Sequence, residues 1–388
     1  MKYPIARDVQ VSFKELYEGV PLIVRSPGRV NIIGEHTDYN DGFVLPAAID
    51  KAIYIALGIS GDNKIRLYAN EYNENHESSL DNLNPSEQQW ANYILGVAAQ
   101  LVKRGYSISG FNLVVDGDVP LGAGLSSSAA VECAVAFGLN ELFNLKIPKF
   151  DLAEIAQKAE HEYAGVLCGI MDQFASVHGR AEHVIKLDCR SMEYEYVPIK
   201  MEGIKIVLFN TNVKHSLAST EYNTRRKQCE EGVAMVRKAY PEVHSLRDIT
   251  IDMLNKQVPR QDKIYDRCKY VINENERLLT GCADLQSGNL QALGKKMFQT
   301  HEGLSKEYEV SCKELDFLVN AVKGSPSVLG ARMMGGGFGG CTINLVKENE
   351  IENITQLLAS SYQKEMDKEL TSYIVQTDNG TGIIDMNA

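Results

Sequence analysis

The stretch Pro120-Leu121-Gly122-Ala123-Gly124-Leu125-Ser126-Ser127-Ser128-Ala129-Ala130 sets two glycines and three serines side by side. Gly122 and Gly124 let backbone approach a ligand closely, and the hydroxyls can contact phosphate oxygens or a magnesium ion. A second group, Glu35, His36, Asp38 and Asp41, follows the apolar piece Val30 to Ile33 and precedes Phe43-Val44-Leu45. Carboxylates and an imidazole beside a buried edge suit a polyhydroxylated ligand; an ordinary solvated loop would use the same residues. Asp172 stands in the almost uncharged run Gly169 to Val177. A buried aspartate is costly unless paired, so it has a partner or a task. Arg29 is a candidate partner, because a guanidinium matches carboxylate geometry; a helix cap or a structural ion pair is the alternative. Glu160 follows the helical stripe Leu152, Ile155, Ala156 and Ala159 at its margin. It is either a rim charge or a buried metal ligand, and the sequence leaves both open.

These residues need elements to position them. Phe111 to Gly117 alternates and reads as a strand; Ala129 to Phe143 reads as a helix. The glycine- and serine-rich segment therefore opens a helix, whose free N–H groups and positive dipole end suit a phosphate. A Walker loop, Gly-x-x-x-x-Gly-Lys-Ser/Thr, is absent. A Gly-x-Gly-x-x-Gly string occurs at Gly335, Gly337 and Gly340, but the alternating Cys341 to Val346 after it reads as a strand, where dinucleotide binding needs a helix. Five glycines among residues 335–340 cost much chain entropy. A loop packed against a ligand or against another loop is the expected use.

Along the rest of the chain, residues 9–19 read as a helix, Leu22 to Ser26 as a strand, and Ile53 to Ile59 and Lys64 to Ala69 as strands. Gly61-Asp62-Asn63 is a hairpin-turn candidate between those two. Asn70 to Glu87 is polar and reads as a loop, and Trp90 starts a helix reaching Val102. Asp151-Leu152-Ala153-Glu154 looks like a capping-box start. Ile204 to Asn210 is a fresh strand, and residues 1–200 and 201–388 are read as two domains. The helix from Ser219 extends to about Tyr240. Val243 to Asp316 reads as amphipathic helices with polar joints at Asn273 to Glu276 and Gln286 to Asn289. Ile351 to Leu370 makes a last helix, and Tyr373 to Thr377 a closing strand.

The 388 residues suit two domains with real cores. A net charge of −11 without a basic run disfavours nucleic-acid and anionic-membrane partners. No apolar run approaches the roughly 20 residues of a bilayer span, and no apolar signal segment is seen near Met1. Eight scattered cysteines without a Cys-x-x-Cys pair suggest a cytoplasmic protein with reduced thiols.

Gly28 to Tyr39, which includes Gly34-Glu35-His36-Thr37-Asp38-Tyr39, resembles the galactokinase signature. Pro120 to Ala130 is similar to the phosphate loop of the wider GHMP kinase superfamily, and Gly335 to Gly340 to its third motif. Gly169 to Phe174 and Glu221-Tyr222-Asn223 also match galactokinases. The resemblance spans nearly the whole chain. It implies an α+β fold of two domains, an N-terminal one with a mixed sheet and a C-terminal one with an antiparallel sheet plus helices. The active site would lie in the cleft between them, and the last residues could pack back on the N-terminal domain. It implies D-galactose and MgATP as substrates, with ATP as co-substrate and Mg2+ as the metal. Asp172 would take the proton of the sugar's anomeric hydroxyl, with Arg29 beside it. Glu35, His36, Thr37, Asp38 and Tyr222 would bind the sugar. Gly122, Ala123, Gly124, Leu125, Ser126, Ser127 and Ser128 would cradle the phosphates, and Ser128 and Glu160 would hold the metal. Trp90, whose default role is core packing, would border the adenine.

Two rivals stand beside that expectation. One is a kinase of the same fold acting on N-acetylgalactosamine or L-arabinose. The other is a non-catalytic galactose and ATP sensor, which the intact Ser126-Ser127-Ser128-Ala129-Ala130 and the presence of Asp172 and Arg29 disfavour. A monomer or weak dimer is expected. All of this needs folding to bring Asp172 within reach of the distant serine-rich turn.

Overall fold

The computed structural model describes residues 3–213 and 218–386, with only the backbone of Ala218 and Ser219. The N-terminal part contains α1 (Pro4–Leu16), β1 (Leu22–Asn31), β2 (Phe43–Val44), β3 (Pro46–Ile59), β4 (Lys64–Ala69), β5 (Glu74–Ser79), α2 (Gln89–Lys103) and β6 (Phe111–Gly117). It continues through α3 (Ser127–Leu142), α4 (Lys149–Ala159), α5 (Met171–His178), β7 (His183–Asp188) and β8 (Tyr194–Pro198). Its main sheet has the order β13-β1-β3-β6-β4-β5, where β13 is Gly382–Ile383, and is mixed because β4 and β6 run parallel. β2, β7 and β8 form a small second sheet.

Strand periodicity builds the core of this part. Ile53, Ile55 and Leu57 of β3 face one way and join a cluster with Leu95, Ala134 and Leu139. Ala52, Tyr54 and Ala56 face the other way and cover Ala6, Val9 and Phe13 of α1. A period of two thus places helices on both faces of one strand.

The C-terminal part contains β9 (Ile204–Asn210), α6 (Ala218–Arg237), α7 (Ile251–Gln257), α8 (Lys263–Gln286), α9 (Leu290–Lys306) and α10 (Lys313–Val322). After these come β10 (Val328–Met333), β11 (Cys341–Lys347), α11 (Ile351–Met366), β12 (Thr371–Val375) and β13 (Gly382–Ile383). β10-β11-β9-β12 is an antiparallel sheet. Ile206, Leu208, Ile343 and Leu345 on one face belong to the same apolar cluster as Ile55 and Leu57, so one core runs through both parts. Val207 and Phe209 on the other face pack on Leu318, Leu358 and Tyr362. β13 returns to pair with β1, Val24 opposite Ile383. No helix among the described residues is long and apolar enough to cross a membrane.

Several local expectations are corrected. Gly61–Asn63 is not the turn of a hairpin, because β6 lies between β3 and β4. The polar stretch 70–87 contains β5, an edge strand with no buried residue, so it lacks the apolar alternation that marks a half-buried strand. The two apolar pieces around Pro27 are mostly one strand, β1, whose register against β3 shifts between Pro27 and Arg29. α1 begins at Pro4, where a missing N–H costs nothing. α4 begins at Lys149 behind Pro148 with no side-chain cap, so Asp151 sits in its first turn and is not a capping-box residue. α8 runs unbroken through Asn273 to Glu276, because Glu274 and Asn275 are buried and bonded rather than solvated.

Candidate active site

One cavity of about 490 Å³ lies between the two parts. Its wall carries Arg29, Glu35, His36, Asp38, Gly122, Gly124, Leu125, Ser126, Ser127, Ser128, Glu160, Asp172 and Tyr222. That is nearly the full set singled out from the sequence, brought together from β1, the turns after β1 and β6, the start of α3, the helical turn that follows α4, α5 and α6.

Arg29 stands just after the bulge of β1. Its Nε donates to Asp172 Oδ1 (2.7 Å) and its Nη2 to Asp172 Oδ2 (2.9 Å). Its Nη1 donates to the Gly124 carbonyl (2.6 Å), so one guanidinium ties α5 to the glycine-rich turn. Burial opposes the Arg29 charge, but Asp172, with lesser help from Glu35 and Asp38, overrides it and raises the pKa. The Ser126 hydroxyl also donates to Asp172 Oδ2. The distance between Asp172 and the serine-rich turn is thus a hydrogen bond.

Gly122, Gly124 and Ser126 all have positive φ, at 70°, 74° and 60°. Ser126, the residue before α3, spends its side chain on Asp172 and makes no cap. The first-turn N–H groups of α3 thereby stay available at the cavity wall. The Gly335–Gly340 loop lies against this turn: a Cβ on Gly124 would be 3.3 Å from the Met334 carbonyl oxygen, and one on Gly335 3.4 Å from that of Gly124. The glycines serve loop-on-loop packing, as their density implies.

The loop of residues 34–43 is held largely from the C-terminal part, with the Cys189 N–H of the N-terminal part donating to the Gly42 carbonyl (2.9 Å). Arg332, wholly buried in β10, places Nη1 and Nη2 each 3.1 Å from Glu35 Oε1. The Gly335 N–H donates to the same oxygen (2.8 Å). The Gly34 N–H donates to Glu274 (2.9 Å) and the Phe43 N–H to Asn275 (2.9 Å), both on α8. Burial, then the nearby Asp172 charge, pushes the Asp38 carboxyl up to about 7. Burial holds the His36 imidazole down at about 4. Tyr222 packs its ring 5.3 Å from that of His36.

Ser128 donates to Glu160 Oε1 (3.0 Å), and Gln173 to Oε2 (2.6 Å). Burial, then Asp172, raises the Glu160 carboxyl to about 7. An under-neutralised carboxyl beside a hydroxyl is a hard-oxygen donor pair of the kind magnesium takes. Among the described residues no cluster of three or more His, Cys, Asp or Glu side chains could hold a metal, so these two would be only part of a ligand set.

Three expected residues stand apart from the cavity wall. Thr37 is fully buried, and its hydroxyl lies 2.9 Å from the Gly34 carbonyl and 2.5 Å from the Phe43 carbonyl, closing the loop. Ala123 lies under the turn, against Gly340. Trp90 lines a neighbouring apolar cleft with Tyr72, Val115 and Val131, which shares Ser127 and Ser128 with the main cavity. Tyr93 borders both spaces and went unnoticed in the sequence; its spacing of three from Trp90 on α2 was the available signal. Arg332 was missed as well, although an arginine in an apolar strand must have a buried partner.

Comparison with known families agrees with this geometry. Residues 11–59 match the galactokinase galactose-binding signature, residues 92–180 the N-terminal domain of GHMP kinases, and residues 283–364 their C-terminal domain. The galactokinase of Thermotoga maritima is 44% identical over 358 residues, covering 92% of this chain and 98% of that one. The galactokinase of Thermosipho africanus is 41% identical over 357 residues, with the same coverage. Among solved structures, Lactococcus lactis galactokinase complexed with galactose superposes with a TM-score of 0.94 at 32% identity, over 98% of this chain and 100% of that one. The mevalonate kinase of Methanococcus jannaschii, at 17% identity and a TM-score of 0.66 over 93% of this chain and 100% of that one, shares the fold. This chain belongs to the galactokinase family of the GHMP kinases.

Proposed function

We propose that this protein transfers the γ-phosphoryl group of ATP to the anomeric O1 of α-D-galactose, giving α-D-galactose 1-phosphate and ADP. The observation that supports this most is a single cavity whose wall carries Asp172 on Arg29, a helix N-terminus suited to phosphate, and Glu35, His36, Asp38 and Tyr222. Its volume is in the range of small-molecule sites.

In this reading Asp172 accepts the proton of the anomeric hydroxyl, and Arg29 keeps that carboxylate aimed. Phosphoryl transfer needs positioning and charge neutralisation more than covalent chemistry. The N–H groups at the start of α3 and the backbone of Gly122 to Leu125 hold the phosphates. Glu35 spends Oε1 on Arg332 and Gly335, which leaves Oε2 for a sugar hydroxyl. Ser128 and Glu160 would hold magnesium, which would supply neutralisation of the phosphate charge. The cleft beside Trp90 takes the adenine. The two parts divide near residue 200, the location is cytoplasmic, as eight unpaired cysteines support, and the molecule is a monomer or weak dimer.

The test is initial-rate ADP release with magnesium and ATP across D-galactose, N-acetylgalactosamine and L-arabinose, with the product identified by phosphorus NMR. Galactose is expected to be fastest and to give an anomeric phosphate. No galactose-dependent ADP release would overturn the reading.

A further inference from the structure

We propose that Tyr39 and Tyr308 are positioning residues for sugar recognition, which fix the orientation and proton position of His36 through a buried hydrogen-bond chain ending at Cys229. The proposal rests on the sugar-kinase reading of the cavity.

His36 Nδ1 lies 2.7 Å from the Tyr39 hydroxyl, which lies 2.8 Å from the Tyr308 hydroxyl, which lies 3.2 Å from Cys229 Sγ. Tyr308 and Cys229 are fully buried. Neither tyrosine lines the cavity, whereas His36 does, so the chain can reach a ligand only through the imidazole. With Nδ1 engaged, Nε2 is the remaining nitrogen. It is buried and has no partner at full hydrogen-bond geometry within the protein. A buried polar atom left without a partner is costly, which marks Nε2 as the atom that meets a ligand hydroxyl.

The direction of the chain follows from its surroundings. A neutral imidazole carries one N–H. The Glu35 carboxylate, through its charge, and the Gly336 backbone, as a hydrogen-bond acceptor, are the groups that favour a proton on the ring. Nδ1 already faces a hydroxyl that can donate, so the proton belongs on Nε2. The Cys229 thiol then donates to Tyr308, Tyr308 to Tyr39, and Tyr39 to Nδ1, leaving Nε2–H for a sugar oxygen. Linked donors polarise one another in such a chain. The rings of Tyr222 and Tyr308, 5.3 and 4.8 Å from the imidazole, hold its plane. His36 itself has φ 63°, a backbone state that persists only where the surroundings over-determine it.

The experiment measures galactose KM, ATP KM and kcat for Tyr308→Phe, alone and in a His36→Asn background, beside the wild type. Tyr308→Phe keeps the ring and removes only the hydroxyl. Galactose KM is expected to rise about 5-fold, the scale of one lost hydrogen bond, with kcat and ATP KM nearly unchanged. In the His36→Asn background the same change should add little, because its route to the sugar is gone. A galactose KM change below about 3-fold, or losses that multiply in the double variant, would overturn the proposal. If Tyr308→Phe does not fold, Tyr39→Phe, at a half-buried position, is judged by the same criteria. Wild-type turnover of galactose is measured first. If it is absent, the galactokinase reading fails, and the chain is tested on the affinity of whichever sugar the protein binds.

Discussion

Arg29 grips Asp172 with two hydrogen bonds while its third nitrogen holds the Gly124 carbonyl, so one side chain ties the aspartate to the glycine-rich turn. Replacing Asp172 with asparagine keeps the shape and removes the proton acceptor. Asp172→Asn is expected to lower kcat by about 10²–10⁴-fold while galactose binding largely survives. Near-normal turnover in the purified variant would reject Asp172 as the base.

Arg332 and Glu35 form an ion pair in which neither side chain is more than 2% exposed. Removing one partner of such a pair leaves an uncompensated charge and typically costs about 3–5 kcal/mol. Arg332→Met is therefore expected to lower the melting temperature strongly and to raise galactose KM in whatever folded protein remains. Arg332→Met combined with Glu35→Gln should recover stability but not sugar affinity. A single variant as stable as the wild type would show that the pair does not hold the loop.

Gly337 has φ 87°, and a Cβ there would lie 2.1 Å from the Val310 carbonyl oxygen. Gly61 has φ 80° with nothing within 4 Å. Gly61→Ala should cost only the backbone penalty of about 1–2 kcal/mol and leave the kinetics alone. Gly337→Ala should also displace the glycine-rich loop from the phosphate turn and raise ATP KM. Equal effects of the two substitutions on ATP KM would refute loop-on-loop support of the nucleotide site.

The folded protein keeps His36 neutral down to about pH 4, whereas the unfolded chain gains that proton near pH 6.5. Between those values the unfolded state binds more protons. The stability contributed by His36 is therefore complete above about pH 6.5 and drains as pH falls toward 4, by roughly 3 kcal/mol in all. Asp38, raised to about 7, works in the opposite sense but is common to wild type and variant. The melting-temperature gap between wild type and His36→Gln should thus narrow as pH falls from 6.5 to 4. A constant gap would mean that the imidazole is not held neutral.

Trp90 is the only tryptophan, so fluorescence reports its surroundings alone. Titration with MgADP should change its emission saturably, since it lines the apolar cleft that shares Ser127 and Ser128 with the main cavity. Emission unaffected by saturating nucleotide would put the adenine elsewhere.

The chemistry-bearing residues were legible because each broke a local rule. Asp172 interrupts an uncharged run, three serines open a helix, and five glycines crowd one turn. What stayed illegible was polarity with a distant partner. Glu274 and Asn275 look like a solvated joint, yet they sit inside α8 because the backbone of Gly34 and Phe43 needs acceptors there. β5 is hidden for the converse reason: an edge strand with no buried residue shows no apolar period. The false hairpin at Gly61 reflects a rule about neighbours in sequence, which the insertion of β6 between β3 and β4 defeats.

The pairing of β13 with β1 joins residue 24 to residue 383. A ribosome must therefore deliver everything between these two residues before the first sheet can close on that side. Until then β1 presents open hydrogen-bonding groups to any other extended chain. Native contacts so remote in sequence form slowly and favour misassembly. Heterologous expression at low temperature, and an affinity tag kept clear of the segment after Thr381, should accordingly raise the yield of soluble protein.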